Sequence, residues 1–395
     1  MAGFTDTQWQ SIDKKLRHNP ARFGLPIRRS GSVVLGSFNA LKLGKARNSD
    51  KRWAFLTRFA SRCDLLALQE VMDDLSGIRR LHAALGSSYE LIVSDTTGAA
   101  PGDAGLRERL AYLYRPARVS LKELVSDITY DRSVVTNSLR QDIDLWTAFF
   151  KAIDDENEAR RLQGKKPKSL SKFALPAFLT FIRTPHCASF SIKGKNGAAP
   201  IDFLGVNAHT LYGKSKEERT REFNALLEWL VKRAKSSDRM YFKNMIVMAD
   251  LNMQFDDADN QYSDIVKRLI DLESNLLTGQ DAARVNFPFL DVHPSETALF
   301  HTNARNTETF DHVAFFIDKR ETQLPLVTAN VSAGEGGPNA YDYGVFNFPE
   351  LFVQTLHDKP FDDLTAGQRN TLLSNAKADV SDHMPIWVRL PIPGA

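Results

Sequence analysis

The sequence predicts a layered α/β fold in one large domain, with helices covering mostly antiparallel sheets. Three observations carry this. Short, apolar, β-branched runs such as "SVVLGSFNAL" and "NMIVMADLN" read as buried strands. Amphipathic segments of helical period stand between several of them. Strand pairs joined by short Gly- and Asn-bearing turns also occur, as at "KGKNGAAP", so the sheet cannot be all parallel. No internal repeat and no Pro/Ser-rich linker divides the 395 residues.

The elements follow in order. Residues 1–30 read as a basic N-terminal arm ahead of a domain spanning 31–395. Ser32–Leu41 is the first strand. "DKRWAFLTRFASRC" sets Trp53, Leu56, Phe59, Ala60 and Cys63 on one helical stripe, and "DLLALQEV" returns as a strand. "DDLSGIRRLHAAL" aligns Leu75, Ile78, Leu81 and Leu85, while "YELIVS" and "ERLAYLYRP" read as successive strands. The stretch near 120–180 holds "DDENEARRLQGKKPKSLSK", too charged for a core element, and reads as a surface insertion, helical in part. "FIRTPHCASFSI" and "IDFLGVNAHT" resume as strands. "KEERTREFNALLEWLVKRAK" is the clearest helix, with Phe223, Leu226, Leu227, Leu230 and Val231 on one face. "TFDHVAFF" and "MPIWVRL" supply two late strands around a second, acidic insertion near 321–379.

Composition sets the broad class. At 43% hydrophobic and 25% charged residues the chain resembles ordinary globular proteins rather than disordered ones. Net charge is only +3, but it is unevenly spread: residues 1–60 carry twelve Lys or Arg against three acids, and residues 321–395 carry four against nine. A basic first part suits a polyanionic partner. Two cysteines, Cys63 and Cys187, make neither a disulfide framework nor a metal cluster. The first residues lack a signal-peptide core, and no run approaches the ~18 apolar residues of a membrane helix, so a cytoplasmic protein with no membrane partner is expected.

The chemistry is written at the ends of the strands. Asn39 closes the first, Glu70 the second, His209 closes "FLGVNAH", and Asp250 and Asn252 close "MIVMADLN". Asp311 opens "DHVAFF", and Asp382 and His383 precede "MPIWV". Singly, such residues cap strands and turns. Together they assemble where ligands collect at a sheet edge. Glu70, Asp250 and Asp382 offer hard carboxylate oxygens and Asn39 and Asn252 neutral ones, a set suited to Mg²⁺, Mn²⁺ or Ca²⁺ rather than zinc. Two histidines add proton-transfer capacity, and the combination points to phosphoryl chemistry.

These motifs, in this order ("SFNALKLG", "DLLALQEV", "ERLAYLYRP", "FIRTPHCASF", "VNAHTLYG", "MADLNMQ", "TFDHVAFF", "SDHMPIWV"), resemble the endonuclease/exonuclease/phosphatase superfamily from Val33 to Leu390, the insertions apart. The resemblance implies a DNase I-like four-layer α/β sandwich: two central sheets face to face, helices outside, the active site at one edge. It also implies roles. Asn39, Glu70 and Asp382 look like metal ligands. Asp250 matches the residue that orients the nucleophilic water, and Asn252 one that holds phosphate or metal. His209 and His383 match the pair flanking the scissile phosphate, with Glu108 behind His209 and Asp311 behind His383. Arg183 matches a phosphate-contacting arginine.

His209 and the "ERLAYLYRP" and "R-x-P" strands look nearest to DNase I-type nucleases. That implies a metal-dependent endonuclease, DNA favoured over other nucleic acids, with Mg²⁺ or Mn²⁺ as cofactor and Ca²⁺ as a supporting ion. The groove-reading positions depart from the pattern: Met72 stands for an arginine, Leu106 for a tyrosine, and "NTETF" for a threonine-bearing loop. Ala249 replaces a common Gly. Basic surface from the N-terminal arm or from "RRLQGKKPKSLSK" (160–172) would replace those contacts. The alternatives are a phosphatase or phosphodiesterase of inositol phosphates or phospholipids, and a binding protein that has lost catalysis. The insertions offer surfaces for protein partners. His82 and His186 read as structural, His312 as an exposed or hydrogen-bonding bystander, and Cys63 as an inert buried thiol.

Overall fold

A computed structural model describes residues 3–44, 52–96, 107–128, 130, 132–213, 216–235, 244–254, 283–291, 299–318, 324, 327 and 342–395. Leu106 and most of the expected second insertion before residue 342 lie outside the described residues. The elements are α1 (Asp6–His18), β1 (Ser32–Leu43), α2 (Trp53–Ala60), β2 (Leu65–Met72), α3 (Ser76–Leu85), β3 (Glu90–Val93), β4 (Glu108–Tyr114), β5 (Val119–Asp127), α4 (Arg132–Gln141) and α5 (Ile143–Leu162). They continue with β6 (His186–Ile192), β7 (Ile201–His209), α6 (Lys216–Lys235), β8 (Met245–Asp250), β9 (Ala283–Asn286), β10 (Asp311–Asp318), β11 (Tyr343–Val345), α7 (Phe348–Leu356), α8 (Ala366–Asp379) and β12 (Ile386–Pro391).

The strands form two six-stranded sheets, ordered β11-β12-β1-β2-β4-β3 and β5-β6-β7-β8-β10-β9. β1 runs parallel to β2, and β7 parallel to β8; the remaining pairings are antiparallel. One apolar core joins the facing sides of the sheets and continues through the first sheet to α1, α2, α3, α7 and α8; a second lies between the other sheet and α6. The result is the four-layer α/β sandwich. Burying this much apolar surface on both sides of each sheet is what fixes strand register, because a one-residue slip would turn the buried set to solvent.

This connectivity gathers the polar strand ends. The parallel strands β1, β2, β7 and β8 deliver their last residues to one edge. β4, β10 and β12, antiparallel to them, deliver their first residues to the same edge. Register confirms the placement: His209 lies opposite Asp250, and Asp250 opposite Asp311.

Three stretches differ in form from the sequence expectation. Within the expected arm, Asp6–His18 is a helix with a Thr5/Gln8 capping box, and its Trp9, Ile12 and Leu16 are buried. Those three apolar residues at i, i+3 and i+7 make a helical stripe that the surrounding basic residues obscure. Residues 119–127 form an edge strand of the second sheet rather than the start of an insertion; as an edge it is only partly buried, so its alternation is weak. Residues 348–379 supply two helices whose Phe348, Leu351, Phe352, Leu372 and Ala376 enter the main core. Among the described residues no helix is long and apolar enough to cross a membrane.

Candidate active site

The site begins with a departure from regular strand. Between Asn39 and Leu43, and between Leu68 and Val71, the ladder register shifts. Glu70 takes φ +54°, and Leu41 and Lys42 take +47° and +49°. Non-glycine residues rarely occupy this region, and such strain is held in place by surrounding bonds. Here Glu70 Oε2 accepts from the Lys42 amide (3.0 Å) and Oε1 from Asn39 Nδ2 (3.1 Å). The bulge turns Glu70 out of the ladder and beside Asn39.

Asn39, almost wholly buried, also donates from Nδ2 to Asp250 Oδ2 at 2.9 Å, so one side-chain amide bridges the two sheets. Its Oδ1 accepts from the Leu41 amide (3.0 Å). Asp250 is fully buried at the centre. Its Oδ1 accepts from the Asn252 amide (3.1 Å), while Oδ2 lies 3.5 Å from His209 Nε2 and 3.7 Å from His383 Nε2. Asn252, at φ +49°, donates its side-chain amide to the Thr210 carbonyl (3.0 Å).

Each histidine has a carboxylate behind it. His383 Nδ1 donates to Asp311 Oδ2 at 2.9 Å. His209 Nδ1 stands 3.5 Å from Glu108 Oε2. Burial works against charge on His383, but Asp311, then Asp250 and Asp382, outweigh it and hold the ring protonated well above its ordinary value. Burial raises Asp311 in turn, against the pull of the charged ring. Burial also opposes charge on Glu108, yet His209 and Arg183 carry it down to about 2.

Arg183 is buried: its Nε donates to Glu108 Oε2 at 2.5 Å and its Nη1 to the Thr210 carbonyl at 3.2 Å. Its guanidinium is spent on the carboxylate behind His209. Asp382 Oδ2 is paired with Lys377 Nζ at 2.6 Å, while its Oδ1 is buried without a hydrogen-bond partner. Burial raises Asp382, but His383 and Lys377 bring it below the usual carboxylate range.

The ligand atoms of Asp250, Asp311 and His383 lie within 4.8 Å of one another. Oxygen donors suited to a hard divalent ion are the half-buried Glu70 carboxylate and Asp382, whose Oδ1 is buried without a hydrogen-bond partner; Asn39, with Nδ2 toward Glu70 and Asp250 and Oδ1 toward the Leu41 amide, would add its oxygen only by turning its side-chain amide.

Sequence reasoning missed the supports. Ser381, fully buried, donates to the Asn39 carbonyl (2.8 Å) and accepts from the His383 amide (3.1 Å), fastening the histidine loop to β1. Thr302 Oγ1 accepts from the amides of Phe310 and Asp311 (both 2.9 Å), and its carbonyl accepts from Met384. Nothing in a lone Ser or Thr signals such a role. His186 Nδ1 donates to Asp127 Oδ1 (2.7 Å), and His312, fully buried, donates from Nε2 to the Thr309 carbonyl (3.0 Å), as structural histidines do. Cys63 is buried, and burial raises its thiol.

No family model and no curated protein matches the chain. Solved structures align with it at low identity. A humanized D. rerio TDP2 is 14% identical over 91% of this chain and 99% of its own, with a TM-score of 0.47. ANGEL2, described as a 2',3'-cyclic phosphatase, is 12% identical over 93% and 99%, TM-score 0.46. An endonuclease/exonuclease/phosphatase family protein from Bacteroides thetaiotaomicron is 14% identical over 92% and 98%, TM-score 0.45. Likenesses this distant carry no argument about chemistry or substrate.

Proposed function

We propose that the protein is a metal-dependent phosphodiesterase, a nuclease that hydrolyses nucleic-acid phosphodiester bonds, DNA favoured, by in-line attack of water. One observation carries the reading: a buried carboxylate, Asp250, lies between the Nε2 atoms of two carboxylate-backed histidines and is hydrogen-bonded to the Asn39 amide. This is an arrangement for handling a water proton beside a group that gathers negative charge.

Asp250 orients the attacking water, with its own second oxygen fixed by the Asn252 amide. His383, kept as an imidazolium by Asp311, donates to a phosphoryl oxygen as charge builds there. His209, backed by Glu108, flanks the phosphate from the other sheet. Arg183 holds Glu108 in its ionised form. The Asn252 amide, from a constrained left-handed backbone, is the neutral phosphate contact. Glu70 with Asn39, and Asp382 through its free oxygen, would hold Mg²⁺ or Mn²⁺. When bound, the ion supplies charge neutralisation at the phosphate. The basic 160–172 segment, exposed over residues 161–170, supplies non-specific backbone contact.

A second reading, a phosphodiesterase of lipids, is favoured by one observation. A cavity of about 300 Å³ has Phe173, Phe178, Phe181, Ile182 and Leu211 in its wall, the last two next in sequence to Arg183 and Thr210, and would accept an apolar group. Assaying oligonucleotide, plasmid and phospholipid substrates with one preparation decides between them. Turnover of phospholipid alone would overturn the nuclease reading.

A further inference from the structure

A second feature lies at the opposite end of the first sheet. Arg28, Thr57, Arg58, Ser61 and Arg62 line a surface hollow of about 420 Å³ together with Ala54, and no acidic side chain is among them. Arg28 precedes β1, and Ser61 and Arg62 precede β2, whereas Asn39 and Glu70 lie near the other ends of those strands. The seven residue steps along the strand from Ser32 to Asn39 separate the two places by roughly 20 Å. The hollow is therefore distinct from the catalytic edge.

Three arginines share this wall, and among the described residues only Arg58 has an acidic partner. Arg28 Nη2 donates to the Tyr89 hydroxyl (2.7 Å), a neutral partner. Arg58 Nη2 is 3.8 Å from Asp13 Oδ1, and its Nε is buried with no hydrogen-bond partner. Arg62 makes no ion pair among the described residues; burial, then Arg28 and Arg58, press it below its ordinary value. The Thr57 hydroxyl is also buried without a partner. Like charges at a shared concavity repel and raise the energy of the empty arrangement, and a multivalent oxyanion relieves this. Planar guanidinium donors match phosphate oxygens in geometry.

We propose that this hollow is a second binding site, for phosphate oxyanions carrying two or more negative charges in all, on one phosphate or on neighbouring ones, held by Arg28, Arg58 and Arg62 with the Thr57 hydroxyl. The inference does not depend on the proposed nuclease activity. The phosphate would come from a free polyphosphate-bearing small molecule or from a nucleic-acid backbone.

The test is calorimetric titration in EDTA at low ionic strength, with pyrophosphate in one arm and a single-stranded oligonucleotide in the other. The proteins are wild type, Arg58→Gln/Arg62→Gln and His383→Ala. Wild type should bind pyrophosphate with Kd below about 1 mM, and the double substitution should weaken this at least about tenfold while His383→Ala keeps it. Weakening of both arms assigns the phosphate to a backbone; weakening of pyrophosphate alone assigns it to a free anion. If the double variant does not fold, Ala54→Glu, which brings a carboxylate in from an exposed position on α2, should weaken binding comparably. No pyrophosphate binding by wild type, or binding indifferent to these substitutions, overturns the proposal.

Discussion

Glu108→Gln tests the electrostatics behind His209. Glu108 is 6% exposed and paired with a buried arginine, and its carboxyl lies at about 2 rather than 4.5. A depressed value contributes stability above the unfolded value and loses it as pH falls through the folded one. The window is therefore pH 4.5 down to about 2. A depression of this size corresponds to roughly 3 kcal/mol at neutral pH, falling to about 1 kcal/mol at pH 3. The amide of Gln keeps the shape and loses the charge, leaving Arg183 buried beside a neutral group. Urea denaturation of both proteins at pH 7 and pH 3, followed by two probes to check for a single transition, measures the difference. The variant should be less stable by roughly 3 kcal/mol at pH 7, with the gap closing in acid. Equal stability at pH 7, or a gap independent of pH, would refute the assignment of charge to the Glu108–Arg183 pair. Turnover of the variant should fall by about 10- to 100-fold, since the residue acts through His209.

Other expectations follow from the same geometry. Asp250→Asn should lower turnover by about 10²- to 10⁴-fold with the circular dichroism spectrum unchanged; near-wild-type turnover would remove Asp250 from the centre of the site. His383, with a raised value, favours the folded state fully below about 6.5 and loses that contribution as pH climbs through the folded value. Asp311→Asn removes its leading partner, so the alkaline limb of the pH–rate profile should move to lower pH, which a profile from pH 5 to 10 would detect. Asp379 Oδ2 accepts from the Phe4 amide (2.8 Å) and Trp9 Nε1 (2.9 Å). Asp379→Ala strands two buried donors and should cost about 2–4 kcal/mol, read by denaturation.

The fold was legible where strands are buried and helices one-sided. "NMIVMADLN" and Phe223–Val231 show their environment in their spacing, because burial on both faces or along one stripe admits few other patterns. The polar strand ends were legible for a related reason: carboxylates, amides and imidazoles seldom end so many apolar strands in one chain. Legibility failed where an element's environment is mixed. α1 hides three core residues among lysines and arginines, and β5 is a half-exposed edge. Side-chain partners were not legible either. The resemblance offers Arg183 for a phosphate, while the fold points its guanidinium at Glu108; Asp382 meets Lys377, five residues earlier on the last turn of α8. Such choices depend on the backbone path of neighbouring loops. Ser381 and Thr302 illustrate this most plainly, since each works through one hydroxyl placed by tertiary structure.

The most direct measurement is supercoiled plasmid incubated with the purified protein and Mg²⁺ or Mn²⁺, beside an EDTA control and the His209→Ala protein. The account predicts nicking that requires the metal and is lost in the variant. Absence of nicking by the folded wild-type protein, or nicking that survives EDTA or His209→Ala, would contradict it.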